Sequence, residues 1–189
     1  MMSSLAPYAV IIASAAIGIL FYLLLFSDLS TQFIQNAEIQ RRAGIVQLVR
    51  LSRNAIEPVI AEVRNGLLSE SEGLLRVRNL VRRMTYEDQY GANYIFMSAY
   101  DGTMLVQPFE AHKELTSQWD LVDEHGSYII RELVRTARSG PDGGFVSYYY
   151  YPPGSTEAQE KLAFVLGIPE LDCYIGTGMY MQQAYIEQR

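Results

Sequence analysis

The segment Tyr94–Pro108 constrains this chain most. It reads Tyr-Ile-Phe-Met-Ser-Ala-Tyr, then Asp-Gly, then Thr-Met-Leu-Val-Gln-Pro. Two short runs of aromatic and β-favouring residues thus flank a dipeptide suited to a tight hairpin. Strand periodicity sends Tyr94, Phe96, Ser98 and Tyr100 to one face, and Ile95, Met97 and Ala99 to the other. The first face is aromatic and carries hydroxyls; the second is plain core. The chain beyond Pro108 reads as the rest of a small sheet that closes over the aromatic face.

Phe109–Val122 has little period and contains Trp119, the only tryptophan; it reads as an ordered loop or short helix. Over Tyr128–Ser139, Ile129, Ile130, Leu133, Val134 and Ala137 make one helical face, and Gly140-Pro141 stops it. Phe145–Tyr151 reads as a strand and Pro152–Glu160 as a polar loop. Lys161–Leu166 alternates Lys161, Ala163 and Val165 against Leu162, Phe164 and Leu166. A last strand, Tyr174–Tyr180, holds Gly176 and Gly178, which suggest a bulge or a close backbone approach. Five strands with helices before and between them predict an α+β fold on an antiparallel five-stranded sheet.

Upstream, Met1–Ser27 carries no charge. Leu5–Phe26 as a helix would span roughly 33 Å at ~1.5 Å per residue, about the hydrocarbon thickness of a bilayer. Pro7 and Gly18 are tolerated in such a helix. The rival, a cleaved signal peptide, calls for a basic leading region, and Met-Met-Ser-Ser brings none. From about Leu29 to Glu87 the pattern is helical, with Ile45, Leu48, Val49, Ile56, Val59, Ile60, Val63 and Leu67 at three- and four-residue steps. Pro58 is expected to kink or break this helix. Ser69-Glu-Ser-Glu starts a second one, with Leu74, Leu75, Val81 and Met84 inward and Arg76, Arg78, Arg82 and Arg83 on a solvated face. The chain thus divides into a transmembrane anchor at 1–27, a juxtamembrane helical stalk at 28–90 that packs on the head, and the head at 91–185. The stalk is either a dimerisation helix that carries motion to the membrane or a helix packed on its own sheet.

The net charge of −6 argues against nucleic acid as a partner. It is also uneven: residues 27–83 hold nine arginines against six acids, and 84–189 hold six basic against fifteen acidic side chains. A basic part near a membrane and an acidic outer part fit an anchored protein with a solvated head. Arg41-Arg42, fifteen residues past the apolar run, weakly favour the wrong side for an outward-facing head. Cys173 is the sole cysteine, so neither an internal disulfide nor a thiolate metal cluster is available.

Tyr94-Ile-Phe with Tyr100-Asp-Gly, then Pro108, Asp123 with Gly126, Gly144-Phe-Val-Ser-Tyr-Tyr, Lys161, and Gly176-Thr-Gly-Met-Tyr180 recur in order. Together, over roughly residues 30–185, they resemble a single Cache domain, the extracytoplasmic sensor module of bacterial chemoreceptors, sensor kinases and cyclic-di-GMP enzymes. The resemblance implies a PAS-like antiparallel sheet preceded by a long helix that leaves the membrane. It also implies an outward-facing (periplasmic) head, and a small ligand, often a short carboxylate, held between the sheet and the loops over it. Four positions depart from the pattern. Gln107 stands where His is frequent, Tyr150 and the Leu171/Cys173 pair where Trp is usual, and Thr116 near a common glycine.

In that pattern Lys161 is the residue whose ammonium would bind a carboxylate, since three donors on a flexible stem suit a small anion. From the strand alone it reads equally as an exposed edge lysine. Gln107, Tyr148, Tyr150, Trp119 and Phe96 are the further ligand-site candidates; tyrosine supplies an apolar wall and one hydroxyl, though sheet packing is the commoner role. His112 and His125 have no third ligand at metal spacing and read as surface residues. Cys173 reads as core, Ser147 lacks a nucleophile elbow, and Gly176-Thr-Gly lacks the remaining dinucleotide fingerprint. No cofactor, metal or catalytic site is expected. The chain reads as a sensor anchored in the inner membrane that binds a short organic acid, dimerises through its N-terminal helix and signals through the membrane. It is expected to be either the input half of a longer receptor or a stand-alone module acting through a partner. The alternative is an anchored docking module with a degenerate pocket.

Overall fold

The computed structural model describes residues 6–88 and 91–181. Residues 1–5 of the expected anchor, 89–90 of the expected stalk and 182–185 of the expected head lie outside them. The chain divides into two compact units, Met1–Ala43 and Gly44–Arg189. In the first unit the helix is supported locally: Glu38 pairs with Arg42 at 2.7 Å, and the hydroxyls of Ser30 and Thr31 donate to the Phe26 and Ser27 carbonyls. This helix, α1 (Ala6–Arg64), is among the described residues the one long and apolar enough to cross a membrane.

Pro58 does not break α1, which continues through it. Proline removes one intrahelical bond, that to the Asn54 carbonyl. Ile56 and Ile60, both fully buried against the second unit's sheet, hold the helix on either side of the gap. Helix α2 (Glu70–Val81) begins with a capping box in which the Ser69 side chain accepts from the Glu72 N–H and the Glu72 carboxylate accepts from the Ser69 N–H. The helical stalk ends sooner than expected. Thr85–Asp88 is a strand, β1, paired with β2 (Gly91–Tyr94) in a two-stranded ribbon. The ribbon is pinned by tertiary bonds that local propensity does not report: Ile95 N–H to the Met84 carbonyl at 3.0 Å, and the Tyr86 hydroxyl with Thr177 Oγ1 at 2.8 Å.

The main sheet has five antiparallel strands: β3 (Phe96–Ala99), β4 (Met104–Val106), β5 (Gly144–Tyr150), β6 (Gln159–Ile168) and β7 (Cys173–Tyr180), in the order β4-β3-β7-β6-β5. The irregularity in the sheet falls between Met97 and Ser98 on β3, not on β7, which pairs residue by residue with β6. The glycines of β7 serve close approach instead. A Cβ on Gly176 would lie 2.7 Å from the Phe96 ring, and one on Gly178 would lie 2.9 Å from Lys161 Cε.

Period-two alternation gives the sheet two covered faces. One carries Ile95, Met97, Leu162, Phe164, Leu166 and Ile175 against Ile45, Val49, Ile56 and Ile60 of α1 and Val77 and Val81 of α2. The other carries Tyr94, Phe96, Tyr148, Tyr150, Ala163, Val165, Tyr174 and Tyr180 against helix α3 (Ile129–Ala137), whose Ile129, Ile130, Leu133, Val134 and Ala137 are the expected inward set.

Candidate functional site

Lys161 lies on the aromatic face of β6, opposite Tyr148 of β5 and Tyr180 of β7. Because β6 is an inner strand, the exposed-edge reading of this lysine fails: the residue is 1% exposed. Gly178 on the adjacent strand leaves the space its side chain occupies. Nζ sits among four aromatic faces, 4.8 Å from the Tyr94 centroid, 4.9 Å from Tyr180, 5.7 Å from Tyr150 and 5.8 Å from Phe96. No hydrogen bond or ion pair to Nζ is formed among the described residues. Burial drives its pKa down to about 7, with the negative charge of Glu110 opposing the shift. Ring faces attract a cation but replace little of its lost hydration, so the site holds an amine that gains strongly from an anion.

Over the lysine lies a polar plug. The Tyr150 hydroxyl donates to Glu110, and the Lys113 ammonium pairs with Glu110 and lies 3.1 Å from the Tyr150 oxygen. Gln107 Nε2 reaches Tyr94 Oη at 3.2 Å, Glu110 Oε2 at 3.2 Å and Tyr150 Oη at 3.3 Å. Burial pushes the Glu110 carboxyl up, but its bonds from Lys113, Tyr150 and Gln107 outweigh this and leave it below its ordinary value. Burial, and then the neighbouring Glu110 carboxylate, push the Tyr150 hydroxyl upward. The plug is positioned from the opposite layer. Glu114 Oε1 accepts from the Gln107 backbone N–H at 2.9 Å, and the same carboxylate pairs with Arg82 and lies 3.9 Å from Arg78 of α2. Arg78, expected on a solvated face, is 15% exposed and donates to the Leu105 carbonyl at 3.1 Å.

Between Lys161 and this plug lies a cavity of about 20 Å³, room for roughly one water. Lys161, Gln107, Tyr148, Tyr150 and Phe96 all line it, with Tyr94 and the Ile129, Ile130 and Leu133 side chains of α3. Beyond the plug a second hollow of about 90 Å³ opens between Tyr94, Phe109, Glu110 and the loop at Pro152. Trp119 is not brought to the cavity. It lies over Gly102 at the hairpin turn, partly exposed, with the Arg131 guanidinium 5.6 Å from its ring. Arg131 of α3 also pairs with Asp120 at 2.5 Å and donates to the Trp119 carbonyl, which ties this loop segment to the helix.

Sequence reasoning missed Tyr180, Glu110, Lys113 and the Glu114 clamp. Tyr180 shares the face of Tyr174 by strand period, so a signal existed. Glu110, Lys113 and Glu114 lie in a segment without period, where nothing local marks them. His112 and His125 are exposed, and no three His, Cys, Asp or Glu among the described residues are grouped to hold a metal. Cys173 is buried, and burial pushes its thiol well up.

Residues 37–189 match the family model of the single Cache domain 2. The chain belongs to that family. It is 26% identical over 155 residues to the sensor histidine kinase MctS of Rhizobium johnstonii, covering 82% of this chain and 32% of the kinase. The chain therefore spans about a third of that relative's length. Its fold is that of a methyl-accepting chemotaxis protein from Vibrio parahaemolyticus (TM-score 0.68, 19% identity, 79% of this chain and 94% of that one). It is equally that of a Cache chemosensory domain solved for its carboxylic acid recognition (TM-score 0.69, 16% identity, 78% and 97%). This is a Cache sensor domain of the kind carried by chemoreceptors and sensor kinases, with the expected PAS-like α+β sheet.

Proposed function

We propose that the head senses a short organic acid whose carboxylate pairs with Lys161 beneath the Gln107–Glu110–Tyr150 plug. One observation carries this reading: a lysine with its ammonium caged by four rings and, among the described residues, without an ion pair. A carboxylate entering the cage would restore the charge to Lys161 in a low-dielectric site, where the pairing is strong. To admit one, the plug must shift, since the cavity is smaller than any carboxylate. That shift reaches α2 through Gln107, Glu114 and Arg82, and so reaches the layer in which α1 lies. In this reading α1 crosses the inner membrane, the head is periplasmic, and a second copy joins along the exposed Leu51, Ala55 and Pro58 of α1.

The small cavity also favours a second reading, a docking module that binds no ligand. Thermal unfolding of the full chain in detergent, against a panel of short carboxylates and amines, separates the two. A ligand that prefers the folded state raises the midpoint by mass action. The sensor reading expects a rise with carboxylates that is absent in Lys161→Met. No rise with any compound would leave the docking module.

A further inference from the structure

Gln107 is 3% exposed and lines the cavity with Lys161. Its amide orientation is set by what surrounds it. Nε2 faces Glu110 Oε2, a carboxylate oxygen that can only accept. Turning the amide over would set two acceptors against each other. The nitrogen is therefore committed to Glu110 and to the hydroxyls of Tyr94 and Tyr150. Oε1 is left buried and without a partner among the described residues. An unpaired acceptor in such a place costs stability until a donor meets it.

We propose, building on the carboxylate site above, that Gln107 is a specificity residue and that the site takes short 2-hydroxy carboxylates. The carboxylate pairs with Lys161 and the hydroxyl donates to Gln107 Oε1. Both anchoring groups sit on the same two tyrosines: Gln107 on the hydroxyl ends of Tyr94 and Tyr150, Lys161 on their ring faces. A carboxylate and a hydroxyl on adjacent carbons offer one group to each of these two anchors on the shared rings. A plain alkanoate leaves Oε1 unpaired. A 2-oxo acid sets a second acceptor against it. A 2-amino acid brings a second cation beside the lysine.

The test is calorimetric titration of the full chain in detergent with lactate, propionate and pyruvate, which share a carbon skeleton and differ only at C2. Lactate is expected to bind about tenfold or more tighter than propionate, with pyruvate weakest. In Gln107→Met the ratio of lactate to propionate affinity should fall to about one. Equal binding of lactate and propionate by the unsubstituted protein, or tighter binding of pyruvate than lactate, overturns hydroxyl selection whatever the variant does. If propionate binds as well as lactate and Lys161→Met abolishes both, the carboxylate site stands and the role of Gln107 falls. If none of the three binds, both fail.

Discussion

At the scale of single residues, Lys161 combines deep burial, four ring faces and a pKa near 7. An unfolded lysine titrates near 10.4. Between about pH 7 and 10 the unfolded chain therefore binds more protons than the folded one, and stability rises with pH across that window. Below pH 7 the cost of the buried charge is borne in full. Lys161→Met, which fits an aromatic cage without charge, is expected to stabilise the head by a few kcal/mol at pH 6.5 and by little at pH 9.5. Thermal unfolding of both proteins at the two pH values checks this, and a difference that does not change with pH contradicts it. Phe96 was legible on the aromatic face of its own strand, and Lys161 as sharing a face with Ala163 and Val165, because strand period assigns faces within a strand. That Tyr148 and Tyr180 lie opposite Lys161 follows only from the pairing of β5, β6 and β7. The burial of Lys161 was not legible, since it depends on β6 being an inner strand and on Gly178 leaving room in β7. Trp119 shows the limit of composition: the sole tryptophan of a loop stands out by type, but Arg131 and Asp120 hold it elsewhere.

At the scale of elements, the strands and α3 were legible because their apolar periods agree with the faces they bury. Errors fell where tertiary bonds override local preference. Pro58 lost one helical bond and kept its helix because the flanking isoleucines are packed. Thr85–Asp88 left the helical pattern to pair with β2. Arg82 is exposed, as expected of a solvated stripe, but Arg78 is largely covered, and both hold the Glu114 carboxylate that accepts from the Gln107 N–H. Glu114 is 9% exposed on its side chain, so Glu114→Ala leaves a buried N–H and an arginine without their partner. The expected loss is about 1–3 kcal/mol. Amide hydrogen exchange over residues 107–116 should quicken relative to the strands, while α3 keeps its protection. Unchanged exchange in that segment would mean that the clamp does not order the plug.

At the scale of the whole molecule, the sheet separates a layer containing α2 and residues 45–63 of α1 from a layer containing the cage and α3. Glu114 joins the two layers at one edge, which gives a ligand under the plug a physical route to the helices. The long apolar helix and the sheet were both legible from the sequence, one from its lack of charge and the other from alternation. The clamp that joins the layers was not, because it is made by side chains remote in sequence. Lys161 is largely neutral above pH 7 and, in the proposed reading, becomes charged on meeting a carboxylate. Calorimetric titration of the full chain with lactate at pH 8, repeated in buffers of different ionisation enthalpy, counts the protons taken up. With Lys161 near 7, the account predicts uptake approaching one proton for each ligand bound, absent in Lys161→Met. Binding with a heat independent of the buffer, or no binding, would contradict it.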